Sequence, residues 1–364
     1  MGSDRRALLL RTLLLAVSLA LTLGIMEAVL QRIYPPRPRL PDPQTRYIES
    51  PLLGWVLPPN SESFSIEARV RVNSLALRDE EFAPRKPPGE WRVLCLGDSL
   101  IFGYGTEIED TFPRQLARRL AEDRPGPHYR AINAGVSGYN TRQELIYLLA
   151  EGLRFEPDLV VIGFYWNDLL GNDQALPALA STPRIVPGAA VTARGQRRLP
   201  TWIVNPLRRS ILVYLAVSGA KSAWGLLRPP TEELWVVRRA LFEGNDALLA
   251  PYLRATGERL LQIQAAAAER GVPALLLVYP MEEQILRDGA SLGLAQELRE
   301  IWAPTGMPFV DIEPDLTEAV ARGETPFIPY DGHPNALGHR IAVDRVHAAL
   351  RERNLLPLRP AGGD

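Results

Sequence analysis

Five short apolar runs, at residues 92–97, 129–134, 158–164, 273–279 and 307–311, are each bounded by turn-forming residues, and helix-length stretches at 110–122 and 140–153 separate the first three. Runs this short and mainly apolar fit strands buried on both faces, and their alternation with helices predicts a parallel sheet covered on either side. The expected fold class is therefore α/β, a three-layer αβα sandwich around a central, mostly parallel five-stranded sheet. In such sheets chemistry collects beyond the carboxyl ends of the strands, so the residues that follow each run carry the functional reading.

The first run ends as Val93-Leu94-Cys95-Leu96-Gly97-Asp98-Ser99-Leu100, which puts a serine hydroxyl just past a strand end. Serine is common in turns, and Ser99 alone would mean little. Near the other end of the chain, however, Tyr330-Asp331-Gly332-His333-Pro334-Asn335 brings a carboxylate and an imidazole together ahead of a final helix. A nucleophile needs a base, and the chain offers only His128, His333, His339 and His347. His128 lies in a loop and reads as surface. His347, off the apolar face of the final helix, also reads as surface. His339 falls within the arc of Ala342, Val343, Val346 and Leu350 and reads as a packed, hydrogen-bonded histidine of the helix interface. His333, in a loop beside a helix start, is left as the exposed base.

Acyl transfer also needs donors for a developing oxyanion. The turn from Asn133 to Asn140 contains Gly135 and Gly138, and the segment Gly163-Phe164-Tyr165-Trp166-Asn167-Asp168 offers a side-chain amide at Asn167. The aromatic run 164–166 reads either as a platform for a sugar ring or acyl chain or as core. Cys95, the single cysteine, lies inside the first apolar run and reads as a core residue.

These four strand-end segments, in this order, resemble the SGNH hydrolase superfamily, the GDSL lipases and esterases, over roughly residue 91 to the end of the final helix. The resemblance implies a flavodoxin-like SGNH fold. It implies Ser99 as nucleophile, His333 as base, and the Ser99 amide, the Gly138 amide and the Asn167 side chain as the oxyanion hole. Two positions depart from the family pattern. Three aromatic residues separate Gly163 from Asn167 where one residue is usual. The position three before the histidine, which usually holds the catalytic aspartate, is Tyr330, so Asp331 is expected to orient His333, with a Ser-His dyad or Asp311 as the alternatives. Gly54-Trp55 and the segment Asn73 to Arg78 resemble the leader of membrane-anchored bacterial members.

The expected activity is an acyl hydrolase cleaving a short O-acyl ester of a small molecule or a glycan. An O-acyltransferase that modifies an envelope glycan with the same site is the alternative, and an inactive glycan-binding protein is a third reading, against which the intact Ser99, Asn167 and His333 speak. No cofactor is expected, and no metal, since the spacing of His333 and His339 fits no common zinc pattern.

Between Arg11 and Arg32 lie twenty residues whose only strongly polar members are Glu27 and Gln31. That length suits one membrane span. Residues 1–33 are read as an uncleaved anchor that places the catalytic part outside the cytoplasm; a signal peptide cut after Ser18-Leu19-Ala20 is the competing reading. Residues 34–90 are expected to be a linker with a small β-containing leader, and 91–358 the hydrolase domain. An insertion at about 170–255 contains Pro177, Pro183, Pro187 and Pro200 and is expected to shape the pocket entrance. Within it, Ser218, Lys221 and Ser222 interrupt the apolar stretch 211–227, which argues against a second span. The net charge of −1 gives no reason to expect a nucleic-acid partner.

Overall fold

The computed structural model describes residues 2–177, 190–191, 201–227, 233–286 and 293–357. Its strands are β1 (Tyr47–Ser50), β2 (Gly54–Val56), β3 (Ser61–Ser65), β4 (Ala68–Val72), β5 (Glu90–Gly97), β6 (His128–Gly135), β7 (Leu159–Phe164), β8 (Ala190–Val191), β9 (Ala274–Val278) and β10 (Phe309–Asp311). The helices are α1 (Gly2–Ile33), α2 (Ser99–Phe102), α3 (Phe112–Asp123), α4 (Thr141–Ala150), α5 (Thr201–Arg209), α6 (Ile211–Leu227), α7 (Glu233–Glu243), α8 (Asp246–Ala268), α9 (Glu282–Leu286), α10 (Leu294–Trp302), α11 (Glu313–Ala321) and α12 (Ala336–Glu352). They group into two compact units, one formed by the described residues of 1–41 and 197–230, the other by those of 42–196 and 231–364.

The second unit is built on a five-stranded sheet in the order β10-β9-β7-β5-β6, with every pairing parallel. Counted along the chain this is 2-1-3-4-5, the doubly wound order, in which the sheet reverses direction between its first and third strands. The β5/β7 boundary is that switch point, and the Gly97-Asp98-Ser99 turn leaves β5 there.

The central strands carry apolar side chains on both faces, because the two faces meet different helix layers. Leu94, Leu96, Val160, Ile162, Leu276 and Val278 point into the core that also holds Leu148 of α4, Leu260 and Ile263 of α8 and Trp302 of α10. Val93, Cys95, Val161, Leu275 and Leu277 point the other way, against Leu116 of α3, Leu316 of α11 and Val346 of α12. Cys95 is fully buried there, a core residue as expected.

The leader is structured and belongs to this unit. β3 and β4 form a hairpin, while β1 pairs with both β2 and β8. Arg78 locks it in place: its buried guanidinium donates to the carbonyls of Phe102 (2.9 Å), Gly103 (2.6 Å), Thr106 (2.6 Å) and Arg69 (3.0 Å). Four carbonyls on one planar fork tie β4 to the loop that follows α2, a geometry lysine cannot reproduce.

The first unit holds α1, an apolar helix long enough to cross a membrane over Arg5–Ile33, together with α5 and α6. The segment expected to be one insertion is therefore divided, since α7 and α8 belong to the unit that contains the sheet. Pro183, Pro187 and Pro200 lie outside the described residues.

Candidate active site

The serine turn rests on a ledge of three glycines. Gly97, Gly135 and Gly163 are in register at the ends of β5, β6 and β7. α2 lies directly on them: a Cβ on Gly135 would stand 2.2 Å from the Phe102 amide nitrogen, and a Cβ on Gly163 would stand 2.5 Å from Ile101 Cγ1. Gly163 thus makes room for the helix that carries Ser99, a role its spacing from Asn167 did not disclose. Asp98 caps α2, its Oδ1 accepting from the Leu100 amide at 2.8 Å, and Ser99 takes the first helical position with its side chain partly exposed.

His333 reaches Ser99 from the opposite end of the sequence. Its Nε2 lies 2.9 Å from Ser99 Oγ, and its Nδ1 is hydrogen-bonded to Asp331 Oδ1. The loop closes on itself through the Ile328 amide donating to the His333 carbonyl (2.8 Å) and the Asp331 amide donating to the Ile328 carbonyl (3.1 Å). Tyr330 and Gly332 both take left-handed backbone, φ 67° and 82°, and this tight reversal puts the Asp331 carboxylate beside an imidazole only two residues away. Asp311 is elsewhere employed, its Oδ1 accepting the Glu313 amide at the start of α11. Tyr104 stacks against the imidazole with ring centroids 4.6 Å apart.

Asn167 stands on the same side of the site. Its Nδ2 donates to Asp98 Oδ2 at 3.1 Å, so the residue that caps the helix carrying Ser99 also holds the amide. Asp98 is fully buried, and burial pushes its carboxyl above the ordinary range against the hydrogen bonds from Leu100 and Asn167. Gly138 is exposed in left-handed backbone at φ 81° in the turn after β6. The leader supports that turn: Trp55 Nε1 donates to the Ser137 carbonyl at 3.2 Å, and the Tyr139 hydroxyl donates to the Trp55 carbonyl at 2.7 Å. Trp55 was not singled out from sequence, and only its place in the Gly54-Trp55 leader pair hinted at a role.

Next to Asn167 in the chain, Asp168 is a second buried carboxyl, and Glu144 is a third; burial pushes both well upward, with Asp98 adding to the shift of Glu144, and Glu144 and then Asp98 to that of Asp168. The neutral, protonated acid is the form that burial favours for both. Asp168 accepts the Tyr165 amide at 2.7 Å, closing the turn that presents Asn167.

Several expectations are corrected here. His347 is buried, not at the surface, because α12 packs on α3 and brings its Nε2 to 3.3 Å from Asp123 at the end of that helix. His339 is buried as expected but neither ring nitrogen has a hydrogen-bond partner. Phe164 and Trp166 are core, and Tyr165 is only partly exposed, so the aromatic run does not form an open platform. His128 is exposed, 3.2 Å from Glu90. Among the described residues, no group of three or more His, Cys, Asp and Glu is arranged to hold a metal ion.

With the glycine ledge, the serine turn and the histidine loop in place, the family comparison is direct: the GDSL-like lipase/acylhydrolase family profile matches residues 95–341, more than half of the chain. The chain belongs to that family. It is an ester-cleaving hydrolase with the αβα fold of the SGNH enzymes. No curated protein matches the sequence. Similar solved structures include a catalytic mutant of an acetylxylan esterase from Geobacillus stearothermophilus, at 15% identity and TM-score 0.43, covering 74% of this chain and 97% of that one. A lipase/acylhydrolase from Enterococcus faecalis is similar at 16% identity and TM-score 0.41, over 75% and 100% of the two chains. A two-domain esterase active on acetylated mannans is similar at 16% identity and TM-score 0.40, over 76% of this chain and 53% of that one. In this GDSL-like hydrolase the family match begins at Cys95, inside β5, and ends within α12, so it spans both the serine turn and the histidine loop.

Proposed function

We propose that this GDSL-like hydrolase is a serine esterase that removes short O-acyl groups through an acyl-enzyme intermediate. The observation that carries the reading is the 2.9 Å contact between His333 Nε2 and Ser99 Oγ, with Asp331 on the far ring nitrogen. His333 takes the Ser99 proton as Oγ attacks the ester carbonyl; the Asp331 carboxylate holds the ring in the tautomer that leaves Nε2 free to accept and balances the imidazolium that forms. The proton then passes to the departing alkoxide, and water, deprotonated by the same imidazole, releases the acid.

Three donors converge on the developing oxyanion in this reading. The Ser99 amide, at the first position of a helix, has no acceptor within that helix. The Gly138 amide sits in an exposed turn. The Asn167 amide group spends one hydrogen on Asp98 and keeps a second for the substrate. Each such donor contributes roughly 10²–10³-fold in rate.

The substrate class we infer is an O-acylated glycan or small alcohol. Trp55, half-buried beside exposed Gly138, presents an indole edge where the alcohol part of an ester would lie. We further propose that α1 anchors the chain in a membrane, with Arg5, Arg6 and Arg11 on the cytoplasmic side and the catalytic unit outside the cytoplasm.

The test is turnover of p-nitrophenyl acetate and of acetylated oligosaccharides by the full chain in detergent, compared with Ser99→Ala, His333→Ala and Asn167→Ala. The first two should retain only background, and Asn167→Ala should lose roughly 10²–10³-fold in kcat. Equal rates in all four proteins would refute the assignment.

A further inference from the structure

Glu27 sits in α1 five residues before Arg32. If α1 spans a bilayer with Arg11 and Arg32 near its two surfaces, helical rise places Glu27 roughly 7 Å inside the nearer one. A carboxyl at that depth is stable only when its oxygens are hydrogen-bonded.

They are, and the donors come from the insertion. The Ser210 hydroxyl donates to Glu27 at 2.8 Å, the Ile211 amide at 2.9 Å and the Leu212 amide at 3.0 Å, so the carboxyl of one helix caps the first turn of another. Gln31 adds a donor from within α1, at 2.8 Å. Short bonds to backbone amides fix height as well as contact, and the start of α6 must lie at the depth of Glu27.

Further ties hold the same corner. Arg37 donates to the Arg208 carbonyl at 3.0 Å and lies over the Tyr214 ring at 4.6 Å. Leu40 and Asn205 exchange hydrogen bonds, the Leu40 amide to Asn205 Oδ1 at 3.0 Å and Asn205 Nδ2 to the Leu40 carbonyl at 3.2 Å.

This corner leaves apolar side chains uncovered. Leu207 is 51%, Leu215 39% and Val217 47% exposed. The uncharged part of α6, Ile211–Ala220, rises only about 15 Å, half of a hydrocarbon core about 30 Å thick. It is too short to cross a bilayer and long enough to enter one leaflet.

We propose that α5 and α6 form a second membrane contact. α6 beds into the leaflet at the carboxyl end of α1, Leu207, Leu215 and Val217 meet acyl chains, and Arg208-Arg209 at the end of α5 meets the headgroups. The occupant of this apolar face is lipid, because the face continues from the apolar surface of α1 and is held to it at membrane depth through Glu27. The inference rests on α1 being a span.

The test is the full chain in phosphatidylethanolamine/phosphatidylglycerol nanodiscs, labelled with an environment-sensitive fluorophore at Leu215→Cys or Val217→Cys. Leu15→Cys in α1 is the membrane reference, and Glu318→Cys, whose side chain is 74% exposed, is the water reference. The native Cys95 is buried and stays unlabelled. Expected are blue-shifted emission and loss of fluorescence to spin-labelled lipid at 215 and 217, as at 15, with neither at 318. Quenching at 15 with 215 and 217 behaving like 318 overturns the second contact and leaves the anchor standing. A blue shift without lipid quenching at 215 and 217 means that protein covers the face and also overturns it. Loss of quenching at 15 as well removes the span and the inference together.

Discussion

Gly135 leaves no space for a side chain beneath Phe102: a Cβ there would lie 2.2 Å from the Phe102 amide nitrogen and 2.7 Å from the Ile101 carbonyl carbon. The obstacle is backbone, and it belongs to the helix that presents Ser99. At Gly163 the obstacle is the buried Ile101 side chain, at 2.5 Å from Cγ1 and 2.6 Å from Cδ1, a side chain and not backbone. Gly163→Ala should therefore cost about 1–3 kcal/mol, and Gly135→Ala more than that, with activity lost alongside. Thermal melting and esterase assay of the two purified variants check the ranking; equal losses would mean that the ledge does not hold α2.

Asp331 and Asp311 separate cleanly. Asp331 is hydrogen-bonded to His333, while Asp311 accepts the Glu313 amide at the start of α11. Asp331→Asn should lower kcat roughly 10²–10⁴-fold by favouring the wrong imidazole tautomer. Asp311→Asn should leave kcat unchanged. Steady-state kinetics of both variants, at equal fold stability, decide the orienting group.

His339 gives the fold an acid-labile element. Its imidazole is buried without a hydrogen-bond partner, and burial, followed by the charge of Arg78, pushes its pKa down to about 3. The unfolded chain takes up this proton near pH 6.5, whereas the folded chain resists until about pH 3. Stability from the neutral histidine is thus complete above pH 6.5 and is lost as pH falls toward 3, at up to about 1.4 kcal/mol per pH unit. Urea unfolding at pH 7 and pH 4.5 should show the natural protein losing more stability than His339→Leu, by up to about 3 kcal/mol. Parallel losses in the two proteins would contradict it.

Much of this molecule is written locally in its sequence. All five sheet strands are legible because each is a short, mainly apolar run, and Ser99 and Asn167 are noticed because they follow two of those runs; His333 is noticed by elimination among four histidines. What is illegible depends on distant partners. The burial of His347 is decided by the packing of α12 on α3, where it meets Asp123, and Phe164 and Trp166 fill core because β7 continues to Phe164. Asp331 could be suspected, but only the left-handed Tyr330 explains how a residue two positions from His333 reaches its ring. Arg78 offers no local cue for the four carbonyls it collects across 9 to 28 residues of chain. The grouping of α5 and α6 with α1 likewise depends on Glu27, more than 180 residues away.

The central claim, that Ser99 is the nucleophile activated by His333, is tested most directly by covalent trapping. The full chain should be treated with a fluorophosphonate, and its peptides read by mass spectrometry. A single phosphonyl adduct on the peptide containing Ser99, strongly reduced in His333→Ala and absent in Ser99→Ala, is the result predicted. An unmodified Ser99, or an adduct that persists on another residue in Ser99→Ala while ester turnover continues, would contradict it.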